Sequence, residues 1–153
     1  MTRALGIGLW IALAVFCGEP PQQQEVSLGH LEWVLSCDSS QFQQVPAHVP
    51  GHVLPALVTA GLVPNPNLKT HELDVQWVEH QTWTYRVHVP LPPGWEEGQG
   101  ARLAFDGLDT YAHVFVNSEE VMSTNNAFRR WVSPQIRIPA SGFLLEVLFD
   151  PVA

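Results

Sequence analysis

The stretch FDGLDTYAHVFVNSEEVMSTNNAFRRW, Phe105 to Trp131, decides the fold. Within it Ala112, Val114 and Val116 alternate with Tyr111, His113 and Phe115, the period of two that arises when one face of a strand is buried. Asn117 and Ser118 supply turn chemistry and Val121 with Met122 open a return strand, so the segment predicts a β-hairpin. An aromatic and basic loop, NNAFRRW, follows from Asn125 to Trp131.

The same period recurs on both sides. Upstream, Leu31, Trp33 and Leu35 alternate in a first strand that a turn from Cys37 to Gln41 ends. Leu73, Val75 and Trp77 read as another strand, and Trp83, Tyr85, Val87 and Val89 as a cleaner one, closed by Pro90, Pro92, Pro93 and Gly94. Leu103 with Phe105, Ile136 with Ile138, and the run Phe143, Leu145, Val147 and Phe149 complete the set. Short strands at close intervals, joined by Gly- and Pro-rich connections, predict an all-β sandwich or barrel of about eight strands. One short helix interrupts them. Leu54, Leu57, Val58 and Leu62 share a helical face, Pro55 is tolerated in the first turn, and Gly61 is a left-handed stop.

The motifs carry a resemblance. The FDGLDT turn, the apolar strand with its Asn turn, the NNAFRRW loop, the Val49-Pro50-Gly51 turn, the Gly61-Leu62 step and the Trp83–Arg86 run WTYR together resemble the N-terminal sugar-binding domain of beta-mannosidases of glycoside hydrolase family 2. The likeness runs from about Leu31 to the C-terminus. The chain departs from the family pattern at Asn65–Thr70, where an acidic, glycine-bearing loop is usual, at Asn117-Ser118, where Asn-Gly is usual, and at Ala127, where Met is favoured. The resemblance implies a jelly-roll, galactose-binding-like β-sandwich. The resemblance also implies that the domain continues past the strand ending at Asp150-Pro151, so that sandwich is expected to be incomplete, with an open edge.

Length and charge bound the function. The 153 residues suit one domain and cannot encode a (β/α) barrel, whose eight units need about 200 residues. The resemblance places the family's two catalytic glutamates on such a barrel, so this chain is expected to be a non-catalytic domain truncated before it, inactive alone. Fifteen acidic against seven basic residues give a formal charge of -8, a field that repels nucleic-acid backbones and anionic membrane surfaces.

Residues 1–17 read as a signal peptide: Arg3 supplies the positive start and Ala4 to Phe16 the apolar stretch. That stretch is about 20 Å long as a helix, short of a bilayer's hydrocarbon core. Residues 18–30 read as a disordered leader, and 31–153 as the domain. The segment implies the secretory pathway, and the family resemblance implies the lysosome. Cleavage near Cys17 would remove one of the two cysteines and with it an internal disulfide, so Cys37 in its Cys-Asp-Ser-Ser turn is expected to be an exposed thiol, with pairing to another chain as the alternative.

Candidate chemistry is sparse. Glycoside hydrolysis requires two carboxyl groups about 5 to 9.5 Å apart. Asp106 and Asp109 read as turn caps, Glu119 and Glu120 as solvated residues of the hairpin turn, and Glu96 and Glu97 as loop residues. Among seven histidines, His48 and His52 are four apart, but Pro50 and Gly51 deny them a common helix, and His71 and His80 stand in separate segments; no metal or other cofactor is expected. The sugar-binding candidates are Asn126, Arg129, Arg130 and Trp131, with Phe128 beside them, because amide and guanidinium donors meet hydroxyls and aromatic faces stack on sugar C–H groups. The competing reading makes Phe128 and Trp131 core anchors and pairs the arginines with Asp106 or Asp109. The expected partners are a mannose-containing oligosaccharide and the downstream domains of the same enzyme. Two alternatives remain: a stand-alone lectin-like glycan-binding module, and a truncated isoform without function.

Overall fold

In the computed structural model, residues 24–38, 41–68 and 70–151 are described. The segment read as a signal peptide lies outside them. Among the described residues ten strands form one six-stranded antiparallel sheet, in the order β2-β1-β3-β10-β6-β7, and two two-stranded ribbons, β4-β9 and β5-β8. The strands are β1 (Trp33–Cys37), β2 (Val45–Ala47), β3 (Trp83–Val89), β4 (Gly100–Ala101), β5 (Ala104–Phe105), β6 (Tyr111–Val116), β7 (Glu119–Asn125), β8 (Trp131–Val132), β9 (Ile136–Arg137) and β10 (Phe143–Phe149).

Alternation places the core on one side of the large sheet. Trp83, Tyr85, Val87 and Val89 of β3, Phe143, Leu145 and Val147 of β10, and Ala112 and Val114 of β6 are all buried. Their register agrees, with Val87 opposite Leu145 and Val147 opposite Val114. Leu103, Leu108, Ile136 and Ile138, from the ribbons and their connections, join the same cluster. Apolar surface removed from water contributes roughly 25 cal/mol per Å², so this core is what stabilises the sheet and its ribbons. Burial also pushes the Tyr85 phenol up to about 12, since the phenolate would lose its hydration.

The structure adds to and corrects the sequence reading. The strand expected at Leu73, Val75 and Trp77 is helical: α2 spans His71–Val75 and a 3-10 turn Gln76–His80. Leu73 is exposed there, whereas Trp77 stacks on Phe42 at 5.2 Å between ring centroids. That aromatic contact, between residues far apart in sequence, overrides a three-residue alternation that a short helix satisfies equally well. With α1 (Val53–Thr59), the described residues hold three helical segments rather than one.

Helix α1 ends as expected. Leu62 N–H donates to Leu57 O and Gly61 N–H to Val58 O, each at 3.0 Å, and Gly61 takes a φ of 71°, which is the paired-bond left-handed cap. Cys37 is buried, 3% exposed at the end of β1, not exposed in a turn. Its Sγ lies 3.7 Å from Gln81 Oε1.

The hairpin turn is tight. Asn117 and Ser118 have φ of 48° and 70°, the pair of left-handed residues that a two-residue turn between twisted strands requires. Asn117 is also tied to β10: its N–H donates to Leu144 O and its Oδ1 accepts from Leu144 N–H, both at 2.9 Å. Strand β7 begins at Glu119, earlier than Val121, and a bulge shifts its register between Val114 and Phe115.

Candidate functional site

Strand β7 ends at Asn125 and β8 starts at Trp131, so Asn126 to Arg130 form the connection between the large sheet and a ribbon. Asn126 organises it. Its Oδ1 accepts the Phe128 N–H at 2.8 Å and its backbone oxygen accepts the Trp131 Nε1–H at 2.9 Å. An Asx turn followed by a side-chain clasp gives a short loop a defined shape. The FDGLDT turn supports it from below: a Cβ on Gly107 would stand 2.9 Å from Ala127 O, so only glycine permits that approach.

Each candidate residue has a distinct setting. Trp131 is half-buried and carries the Arg129 guanidinium over its ring, 4.1 Å from the centroid, a cation–π contact. Arg130 lies between two acids, its Nη2 3.7 Å from Glu25 Oε1 and its Nε 3.6 Å from Asp106 Oδ1. Those carboxylates are 87% and 94% exposed, so both pairs are solvent-screened and cheap to break. Phe128 is 98% exposed. It is no core anchor, and the pairing of Arg130 with Asp106 is the part of the competing reading that the geometry bears out. Asn126, Arg129 and Arg130 thus share one exposed loop that half-buried Trp131 closes as the first residue of β8, and both oxygens of Asn126 serve the loop's architecture.

The other candidates fall elsewhere. Asp109 accepts a hydrogen bond from Thr110 Oγ1. Glu119 and Glu120 belong to β7 rather than to the turn, and Glu120 is not merely solvated. His113, on the outer face of β6, has Nδ1 2.8 Å from Glu120 Oε1 and Nε2 3.3 Å from Asp150 Oδ2. The hydrogen bond to Glu120 leads in holding His113 above its ordinary value of 6.5, helped by Asp150 and opposed by partial burial. The β7 bulge brings Glu120 onto this face, and the sequence carried no signal of it. His48 and His52 border a cleft of about 220 Å³ together with Pro46, Pro55, Ala56 and Ala60. His71 and His80 stand at the two ends of the helical segment 71–80. Among the described residues no group of three or more His, Cys, Asp or Glu is placed to hold a metal ion, and no helix is long and apolar enough to cross a membrane.

The family described as glycosyl hydrolase 2 galactose-binding domain-like matches residues 33–150, nearly all of the described residues. The chain belongs to this family. It is 37% identical over 108 residues to Beta-mannosidase A of Emericella nidulans, covering 71% of this chain and 11% of that protein. It is 34% identical over 99 residues to the Beta-mannosidase of Rattus norvegicus, covering 65% and 11%. Among solved structures, Beta-D-Mannosidase from Dictyoglomus thermophilum superposes with a TM-score of 0.69 at 28% identity, over 78% of this chain and 15% of that one. A GH2 beta-galacturonidase from Eisenbergiella tayi, at 20% identity and a TM-score of 0.54, shares the fold. The galactose-binding-like β-sandwich expected from the sequence is therefore confirmed, and the chain spans about a tenth of the length of the curated relatives it matches.

Proposed function

We propose that this chain serves as a non-catalytic sugar-recognition domain of a beta-mannosidase-like glycoside hydrolase. The parent reaction would be removal of terminal beta-linked mannose from oligosaccharides in the secretory pathway or lysosome, with the domain presenting the 126–131 loop toward the glycan. One observation carries the reading. In a family of galactose-binding-like domains, this loop gathers two guanidinium groups, an exposed phenyl ring and an indole within six residues, held by two hydrogen bonds that Asn126 accepts.

The chemistry is coherent. Arginine forks donate to vicinal hydroxyls in fixed geometry, and aromatic rings cover the apolar C–H faces of a pyranose. The carboxylates near the loop, Asp106 and Asp109, are engaged with Arg130 and Thr110, which suits turn architecture better than acid–base work. Hydrolysis is assigned to other domains of the parent enzyme, which would be the natural protein partners.

Two assays on the purified chain test this. Calorimetric titration with a β-1,4-linked mannobiose should show saturable, weak binding, and p-nitrophenyl β-mannoside should release no nitrophenol above the buffer rate. Absence of saturable binding would overturn sugar recognition. Turnover by the chain itself would overturn the non-catalytic assignment.

A further inference from the structure

The loop holds two aromatic residues, and they are not equivalent. Trp131 is the one that its residue type recommends for stacking, yet its resources are already committed. Its indole N–H donates to Asn126 O at 2.9 Å, the Arg129 guanidinium lies over its ring at 4.1 Å from the centroid, and its backbone pairs with Phe105. A ring covered on one face by a cation and half-buried has little area left for a pyranose.

Phe128 is the opposite case. Its side chain is 98% exposed, while its backbone N–H is fixed to Asn126 Oδ1 at 2.8 Å. An apolar ring left in water gains by burial against another apolar surface. Holding the backbone that carries it lowers the ordering cost of such a contact. Arg129, the next residue, has its guanidinium carbon 4.1 Å from the centre of the Trp131 ring, a cation–π contact that does not use up its N–H donors. That contact also limits the rotamers that Arg129 must give up on binding.

We propose that Phe128 is the sugar-stacking platform of this loop, that Arg129 is the hydroxyl donor beside it, and that Trp131 is a positioning residue holding Arg129 in place. The ligand class is a neutral pyranoside with one C–H-rich face, and a β-mannosyl disaccharide is the probe. This inference rests on the sugar-recognition reading above but assigns the contact to a different ring.

The test is an NMR titration of the chain with β-1,4-mannobiose, comparing the natural sequence with Phe128→Ala, Trp131→Phe and Arg129→Lys. Phe128→Ala should weaken binding about tenfold, the effect of truncating an aromatic anchor. Its amide spectrum should otherwise be unchanged, because an exposed ring supports no packing. Trp131→Phe keeps an aromatic face for the guanidinium and loses only the N–H clasp, so binding should fall less, about threefold or under. Arg129→Lys should weaken binding because an ammonium lacks the planar fork. If the natural chain binds the disaccharide and Phe128→Ala binds equally well, or if Trp131→Phe is the more damaging change, the assignment of the platform is wrong while sugar recognition stands. If the natural chain does not bind at all, both fall.

Discussion

Gly142 closes the turn before β10 with a φ of 74°, its N–H donating to Pro139 O at 2.9 Å. An added Cβ would meet Val89 O at 2.2 Å and Pro90 Cα at 2.9 Å. Both are backbone atoms at the end of β3, whose last residue pairs with Phe143, so neither can rotate aside. Gly61 provides an internal control, because its φ is 71° and nothing lies within 4 Å of its Cβ position. In both places alanine costs about 1–2 kcal/mol for the left-handed backbone, offset by about 0.4–1 kcal/mol from a less flexible unfolded chain. Only at Gly142 does displacement of packed backbone add about 1–3 kcal/mol. Gly61→Ala should therefore destabilise by about 1 kcal/mol and Gly142→Ala by about 2–4 kcal/mol, a large share of an ordinary domain's stability. Urea unfolding followed by tryptophan fluorescence measures both, with an unchanged slope expected. Equal losses in the two variants, or a smaller loss at Gly142, would refute the packing argument.

Two further outcomes follow from the large sheet. His113 faces Glu120 on β7 and Asp150 beyond β10, with Ser123 and Leu148 as its cross-strand neighbours and the Arg86–Glu146 pair further along the same face. A neutral imidazole has one N–H and satisfies one carboxylate; the imidazolium satisfies both. Since the folded value is raised above 6.5, the stabilisation is complete below 6.5 and is lost as pH rises through the raised value. The stability advantage of the natural chain over His113→Gln should thus shrink as pH rises above 6.5, and an advantage that is flat or grows with pH contradicts the clasp. At the hairpin, Ser118 holds a φ of 70° that glycine adopts without strain. Ser118→Gly should raise the urea midpoint, by about 0.5–1 kcal/mol in stability, and a lowered midpoint would count against the turn geometry.

The long strands were legible because each presents several alternating residues to one core. Trp83, Tyr85, Val87 and Val89, and Phe143, Leu145, Val147 and Phe149, leave little choice of face. The segment 71–80 was misread because its alternation covers only three residues, and what fixes it is Trp77 against Phe42, a contact between residues distant in sequence. The turn around Cys37 was misplaced for a similar reason: β1 continues through Cys37 because that residue pairs with Trp83 of β3. At the loop, the residue types announced themselves. Which ring is covered and which is open depends on where Arg129 lies and where Asn126 sends its two oxygens, and composition alone does not carry that. The clasp on His113 was invisible because a bulge, not a period, brings Glu120 to it.

The claim that this sandwich recognises sugar through one loop is tested most directly by a residue-resolved amide titration of the chain with β-1,4-mannobiose. The account predicts saturable shifts concentrated at residues 126–131, including the Trp131 indole N–H. Saturable shifts centred instead on the cleft beside His48 and His52, or no shifts at all, would contradict it.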